Sequence, residues 1–200
     1  MSPTIVLVGS IHMDLMLRCP HLPKPGETVL GHHFRTEPGG KGGNQAVAAA
    51  RLGGRVALVA CMGDDAFGTA ALTRLRAEGV DLRHALTLPG TATGVAMVQV
   101  DDAGQNCVAL APGANAGLTP AQVEAAAAAI QQAGLLVCQL ETPLPAVARA
   151  IALAHAAGVP VLLNPAPAVP LSDSLLSQVD LLVLNEGEAA VVSGLPVDGA

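Results

Sequence analysis

At 200 residues, 51% of them hydrophobic and only 13% charged, the chain is long enough to bury one α/β core and too apolar to be disordered. A formal charge of −6 without a basic block, no Trp or Tyr and only two Phe exclude a nucleic-acid or anionic-membrane surface built on cations and stacking aromatics. No apolar run reaches the ~18 residues of a membrane span, Met1-Ser2-Pro3-Thr4 lacks the basic region of a signal peptide, and a cytoplasmic location is expected. Cys19, Cys61, Cys107 and Cys138 stand singly, so neither zinc nor redox pairing is indicated, and Cys61 and Cys138 read as buried thiols.

In chain order, residues 4–9 form a short apolar run ending in glycine, the pattern of a buried strand. Residues 12–38 mix His, Pro and Gly with short alternating stretches such as Glu27-Thr28-Val29-Leu30, which predicts small antiparallel strands and loops. A helix is predicted from the Gly-rich segment at 39–43 to about Leu52, where Gly53-Gly54 stops it. Strand 56–61 and helix 66–78 follow, the latter ending at Gly79, and 93–111 reads as a hairpin around the polar loop 101–106. Thr119-Pro120 caps a helix to Ala133. Beyond it come strand 135–140, helix 144–157, strand 159–163, helix 172–178, strand 181–184 and helix 186–192. Such βαβα alternation with continuous apolar strands implies a parallel sheet covered on both faces. Ligands gather at the carboxyl ends of the strands of such sheets, which selects 9–14, 63–65, Glu141, Asn164 and Asn185 as one rim.

The segment Pro38-Gly39-Gly40-Lys41-Gly42-Gly43-Asn44-Gln45-Ala46 concentrates the chemistry. Glycine costs about 1 kcal/mol against alanine inside a helix, so four of them serve another end than helix propensity. Without Cβ atoms the main chain is open to a ligand, and a helix N-terminus offers free N–H groups and positive partial charge. Lys41 adds a point cation and Asn44 an amide that both donates and accepts, a set suited to a hydroxylated or anionic small molecule. A nucleotide P-loop is excluded, because it would need glycine at Arg35 and Ser or Thr at Gly42. The dinucleotide fingerprint is excluded too, since no acidic ribose partner lies about twenty residues on. Glu141 follows an apolar strand and Asp14 lies just after another, which places both carboxylates on the edge that holds the Gly-rich helix start. Carboxylates accept from sugar hydroxyls where Lys41 and Asn44 donate.

These residues resemble the ribokinase family of carbohydrate kinases, the PfkB type. The similarity runs through Gly9-Ser10-Ile11-x-x-Asp14, Pro25-Gly26-Glu27-Thr28, the Gly39 to Ala46 signature with Gly53, Gly63-Asp64-Asp65, Thr93-Gly94-Val95-Ala96 and Gly113-Ala114-Asn115. It continues in Gln139-Leu140-Glu141, Leu163-Asn164-Pro165-Ala166-Pro167 and Asn185-Glu186-x-Glu188, and so spans essentially the whole sequence. The resemblance implies a three-layer α/β sandwich with a central, mostly parallel sheet and a small β lid formed by 12–35 and 94–111, through which the family builds homodimers. It implies magnesium-dependent transfer of the ATP γ-phosphoryl to a pentose, D-ribose first among them, with K+ as monovalent cation. Another sugar or a nucleoside is the alternative substrate, and a non-catalytic sugar-binding module is the alternative class.

Carried over by position, His12, Asp14, Gly40, Lys41, Asn44 and Glu141 are the expected sugar-binding residues, with Ala96, Val98 and Leu110 as an apolar wall. Asn185 is expected at the nucleotide phosphates and Glu188 at the magnesium ion. Two departures stand out. Position 12 is histidine where the family usually presents asparagine, and one imidazole nitrogen cannot both donate and accept. The sequence also contains no Gly-Ala-Gly-Asp, the family's second signature with its anion hole and catalytic base, so no catalytic residue is assigned and the chain reads as the substrate half of a kinase.

Overall fold

The computed structural model describes residues 4–197. Six parallel strands make the main sheet: β1 (Thr4–Val8), β4 (Arg55–Gly63), β5 (Asp81–Leu88), β8 (Leu135–Gln139), β9 (Val161–Asn164) and β10 (Leu181–Leu182), in the order β10-β9-β8-β1-β4-β5. Their apolar runs feed two layers at once, because successive strand residues point to opposite faces. Val6, Val8, Ala57, Val59 and Cys61 enter one core cluster, while Leu7, Val56, Leu58, Ala60 and Met62 enter the other. Each fully buried Leu or Ile in these clusters contributes roughly 1.5–3 kcal/mol relative to exposure.

Helices α1 (Lys41–Arg51) and α2 (Ala66–Ala77) cover one face. The other face is covered by a 3-10 turn (Gly113–Gly117), α3 (Pro120–Ala125), α4 (Ala127–Gln131), α5 (Leu144–Ala156) and α6 (Asp173–Leu176). The stripe Ala146, Val147, Ala150, Ile151, Ala154 on α5 is wholly buried, the spacing of a helix pressed on a sheet. Helix α7 (Glu186–Ser193) follows β10. The lid is a separate four-stranded sheet in the order β3-β2-β6-β7, built from β2 (His12–Cys19), β3 (His33–Gly39), β6 (Gly94–Asp101) and β7 (Asn106–Ala111).

Several expectations are corrected. Strand β5 has no counterpart in the sequence reading, because Asp81-Leu82-Arg83-His84 carries the charge of a sheet edge rather than an apolar run. The helix expected over 120–133 is two pieces, and β10 is shorter than the 181–184 run. Residues 27–30 are irregular, so the first lid segment is β2 and β3 joined by a long loop and reaches Gly39 rather than 35. Coverage of the sheet is also incomplete. Beside α1, an apolar groove is lined by Leu135, Val137, Leu162 and Val183, and Leu181 and Leu182 are exposed.

Candidate active site

Beyond Val8 the chain crosses the carboxyl edge of the main sheet through Gly9-Ser10-Ile11 and enters the lid at His12. Asn115 fixes this crossing: its amide accepts the Ile11 N–H at 2.9 Å and donates to the Ile11 carbonyl at 2.7 Å and the Pro112 carbonyl at 3.0 Å. The start of α1 rests on the same crossing. Gly40 is its N-cap with φ 89°, a left-handed conformation that favours glycine, and a Cβ there would lie 2.8 Å from the His12 nitrogen. A Cβ on Gly42 would lie 2.6 Å from the Ser10 nitrogen.

The N–H groups of this helix start are not left for a ligand, which corrects the expectation drawn from the glycines. Lys41 N–H donates to Glu141 Oε2 at 2.9 Å, Gly42 N–H to Ser10 Oγ at 3.4 Å and Gly43 N–H to the Ser10 carbonyl at 2.9 Å. The glycines admit the protein's own backbone. Glu141 caps α1 from just beyond the end of β8 and also accepts the Ser10 hydroxyl at 2.5 Å.

Glu141 Oε2 lies 3.6 Å from His12 Nδ1, while no protein group among the described residues donates to its Oε1. The His12 ring is 1% exposed and its Nε2 is buried without a partner. Burial lowers its pKa, opposed by the Glu141 charge. Asp14 lies inside β2 rather than after a strand. It stands in one cross-strand row with Glu37, Ala96 and Leu110, on the lid face that also carries His12 and Val98. Its carboxylate receives no hydrogen bond among the described residues, and burial, then the charges of Glu141 and Glu37, raise its pKa. Gly39 lies beneath it, and a Cβ there would push the carboxylate aside.

Ala96 is buried and Val98 half-buried, but Leu110 is 44% exposed, so that side of the expected wall is open. Lys41 is half-buried and pairs with no carboxylate among the described residues. Asn44 is exposed, at a cleft of about 280 Å³ shared with Ile11, Pro38, Gly39 and Val47. His12, Asp14, Gly40, Lys41, Ala96, Val98, Leu110 and Glu141 therefore gather where the lid meets the main sheet.

Asn185 and Glu188 lie elsewhere on the rim and hold each other. Asn185 Oδ1 accepts the Glu188 N–H at 2.8 Å and Glu188 Oε2 accepts the Asn185 N–H at 3.0 Å, a reciprocal capping box at the start of α7. On the same rim Asp65 caps α2 and accepts the Thr93 N–H and hydroxyl, and Asp64 accepts the Gly90 N–H; both hold the fold. Ser10 and Asn115 went unassigned in the sequence reading although both stood in its motifs. Their signal is that a small hydroxyl and an amide recur beside glycines at sheet edges, where loop backbone must be satisfied.

Residues 2–199 match the family described as pfkB family carbohydrate kinase. The chain belongs to this family. It is 44% identical over 197 residues to a ribokinase of Haemophilus influenzae, covering 98% of this chain and 64% of that protein. A deoxyribokinase of Salmonella typhi is 37% identical, with 97% and 64% covered. Among solved structures, the Arabidopsis thaliana ribokinase complexed with ribose and ATP superposes with a TM-score of 0.88 at 31% identity, covering 100% of this chain and 65% of that one. The chain thus spans a little under two thirds of the length of these relatives.

Proposed function

We propose that the intact protein is a ribokinase-like phosphotransferase that moves the γ-phosphoryl group of ATP to a pentose, D-ribose at its 5-hydroxyl before others. The observation that carries this reading is the pair of incompletely used carboxylates: among the described residues Asp14 and Glu141 Oε1 have no donor, and the helix start on Glu141 brings in Lys41, which pairs with no carboxylate there. A half-buried carboxylate without protein donors costs some stability, and sugar hydroxyls are donors that would give it hydrogen bonds. Lys41 stands where it can neutralise an incoming phosphate. Phosphoryl transfer depends on such positioning and charge compensation more than on covalent chemistry. The relatives' names, two ribokinases and a deoxyribokinase, support a pentose.

The donor set at α7 fits magnesium in a limited way. The capping box occupies Asn185 Oδ1 and Glu188 Oε2, leaving Glu188 Oε1, and the described residues hold no cluster of three ligating side chains. Magnesium keeps most of its waters and binds through one or two carboxylates plus substrate phosphates, so Glu188 would hold it through water and Asn185 would face the phosphates. When bound, the ion would neutralise charge on the phosphates. K+ dependence and a homodimer through the lid belong to the same proposal, as does a cytoplasmic location; no helix among the described residues is long and apolar enough to cross a membrane.

A second reading is favoured by His12. A buried ring with an unpaired nitrogen in place of an amide alters how one hydroxyl is met, so a 2-deoxypentose or another sugar competes with ribose. The test is ADP formation by the full-length protein with ATP, magnesium and a panel of ribose, 2-deoxyribose, arabinose and xylose. Ribose-dependent turnover is expected; no turnover with any pentose removes the reading, and a preference for 2-deoxyribose selects the second.

A further inference from the structure

Three side-chain amides join the two halves of the rim in a line. Asn164 Nδ2, at the end of β9, donates to the Val183 carbonyl at 2.8 Å. Gln45 Nε2, on α1, donates to Asn164 Oδ1 at 3.4 Å, and Gln139 Nε2, at the end of β8, donates to Gln45 Oε1. The polarity of the line is forced from one end. A backbone carbonyl only accepts, so the NH2 of Asn164 must face Val183; its oxygen then accepts from Gln45, and the oxygen of Gln45 accepts from Gln139. The remainder is one unpaired oxygen, Gln139 Oε1, wholly buried and packed against Gly9 so closely that a Cβ there would overlap it. An orphaned buried acceptor costs about 1–3 kcal/mol, so the arrangement is not one that stability alone would select.

The positions it joins are informative. Gln139 is two residues before Glu141, Gln45 follows Asn44 on the helix that starts at Lys41, and Val183 is two residues before Asn185. We propose that Gln45 and Asn164 are positioning residues: they lock the sugar-holding start of α1 and the end of β8 to the β10–α7 turn, so that hydroxyl and phosphate are held in register. This rests on the phosphotransferase reading. Neither residue is needed to touch sugar or nucleotide. A misplacement of the two reacting groups by an ångström is costly in rate, and coupling through such networks is worth about 3- to 30-fold.

The test uses the full-length protein and two cuts at different links. Gln45→Met keeps the volume and removes the middle bonds. Asn164→Asp still accepts from Gln45 but sets an oxygen against the Val183 carbonyl, removing only the last bond. Because the line acts as a unit, each variant is expected to lower kcat about 3- to 30-fold with the pentose KM within about twofold, and the double variant is expected to lose no more than the worse single. Amide hydrogen exchange over 183–188 is expected to quicken in both variants and no further in the double. Additive kcat losses, a pentose KM that rises while kcat holds, or unchanged kcat overturns the proposal. If the unmodified protein phosphorylates no pentose, the phosphotransferase reading falls by itself. Exchange then decides the relay alone, quickened and non-additive in its favour, unchanged or additive against it.

Discussion

Replacing Asp14 by asparagine should move stability and function in opposite directions. Asp14 is directly opposite Glu37 in the lid, within the field of Glu141, half-buried and without a hydrogen-bond donor among the described residues. Like charges facing each other across strands destabilise by about 0.2–1 kcal/mol, so Asp14→Asn should raise the melting temperature of the sugar-free protein by roughly 0.5–4 °C at neutral pH. The sign with pH follows from linkage. Its carboxyl holds a proton more tightly folded than unfolded, so the stability it contributes is fully present below the unfolded value of about 3.9 and is lost as pH rises through the folded value. The advantage of asparagine should therefore vanish near pH 3–4 and be complete at neutrality. Against this, the variant loses a charge-assisted bond to a sugar hydroxyl worth about 1.5–3 kcal/mol, which predicts a roughly 10- to 150-fold fall in kcat/KM for the preferred pentose. Thermal melts with and without sugar across pH 3.5–8, beside coupled ADP assays, read both effects. A variant that melts lower than the parent at pH 7 and keeps its kcat/KM within twofold would show Asp14 to be a structural strand residue.

The glycines of α1 divide sharply. Gly43→Ala meets nothing nearer than the Ser10 carbonyl at 3.9 Å and should stabilise by about 0.4–1 kcal/mol, whereas Gly42→Ala drives a methyl to 2.6 Å from the Ser10 backbone and should cost on the order of 1–3 kcal/mol, both measurable as urea midpoints. His12 is held neutral by burial, so the stability it contributes is present above the unfolded value of about 6.5 and is lost as pH falls through its lowered folded value. Melting curves from pH 7 to 5 should show the parent losing more than His12→Asn, and parallel curves would mean that the ring is free to charge. Ser10→Ala removes a hydroxyl that both donates to Glu141 and accepts from Gly42; it should lower stability by roughly 1.5–3 kcal/mol and raise the pentose KM, and an unchanged KM would separate Glu141 from the sugar.

The main sheet was legible because its strands are continuous apolar runs, and no other element both buries two faces and stays this short. What escaped has a common cause. Strand β5 lies at the sheet edge, so none of its residues is fully buried, Asp81, Arg83 and His84 stand at its start, and it carries no apolar run like that of β4. The alanines of 125–129 propagate a helix equally well in one piece or two, and nothing local marks the division at Ala126. The loop between β2 and β3 holds alternating residues at 27–30 without a partner strand to pair with, and alternation by itself does not make a ladder.

The site shows the same limit more sharply. Composition marked the Gly-rich helix start as a special place in the fold, yet assigned its missing side chains to the wrong beneficiary. A Cβ is excluded at Gly40 by the His12 backbone and its own φ and at Gly42 by the Ser10 backbone, and at Gly39 it would displace the Asp14 carboxylate. Each of these neighbours is far from the helix in sequence order or belongs to another sheet, and only the folded chain brings them together. The consequence is functional, since a helix start sealed by Ser10 and Glu141 gives up its N–H groups as ligand donors. On the proposed function, recognition would then fall to side chains: to Glu141 Oε1 and the Asp14 carboxylate, neither with a donor among the described residues, and to the ammonium of Lys41. Of these, the two carboxylates only accept and the ammonium only donates. A group that both donates and accepts has to come from the neutral side chains around them. Of these His12, buried and with a nitrogen still unpaired, is the residue whose replacement should change the ranking.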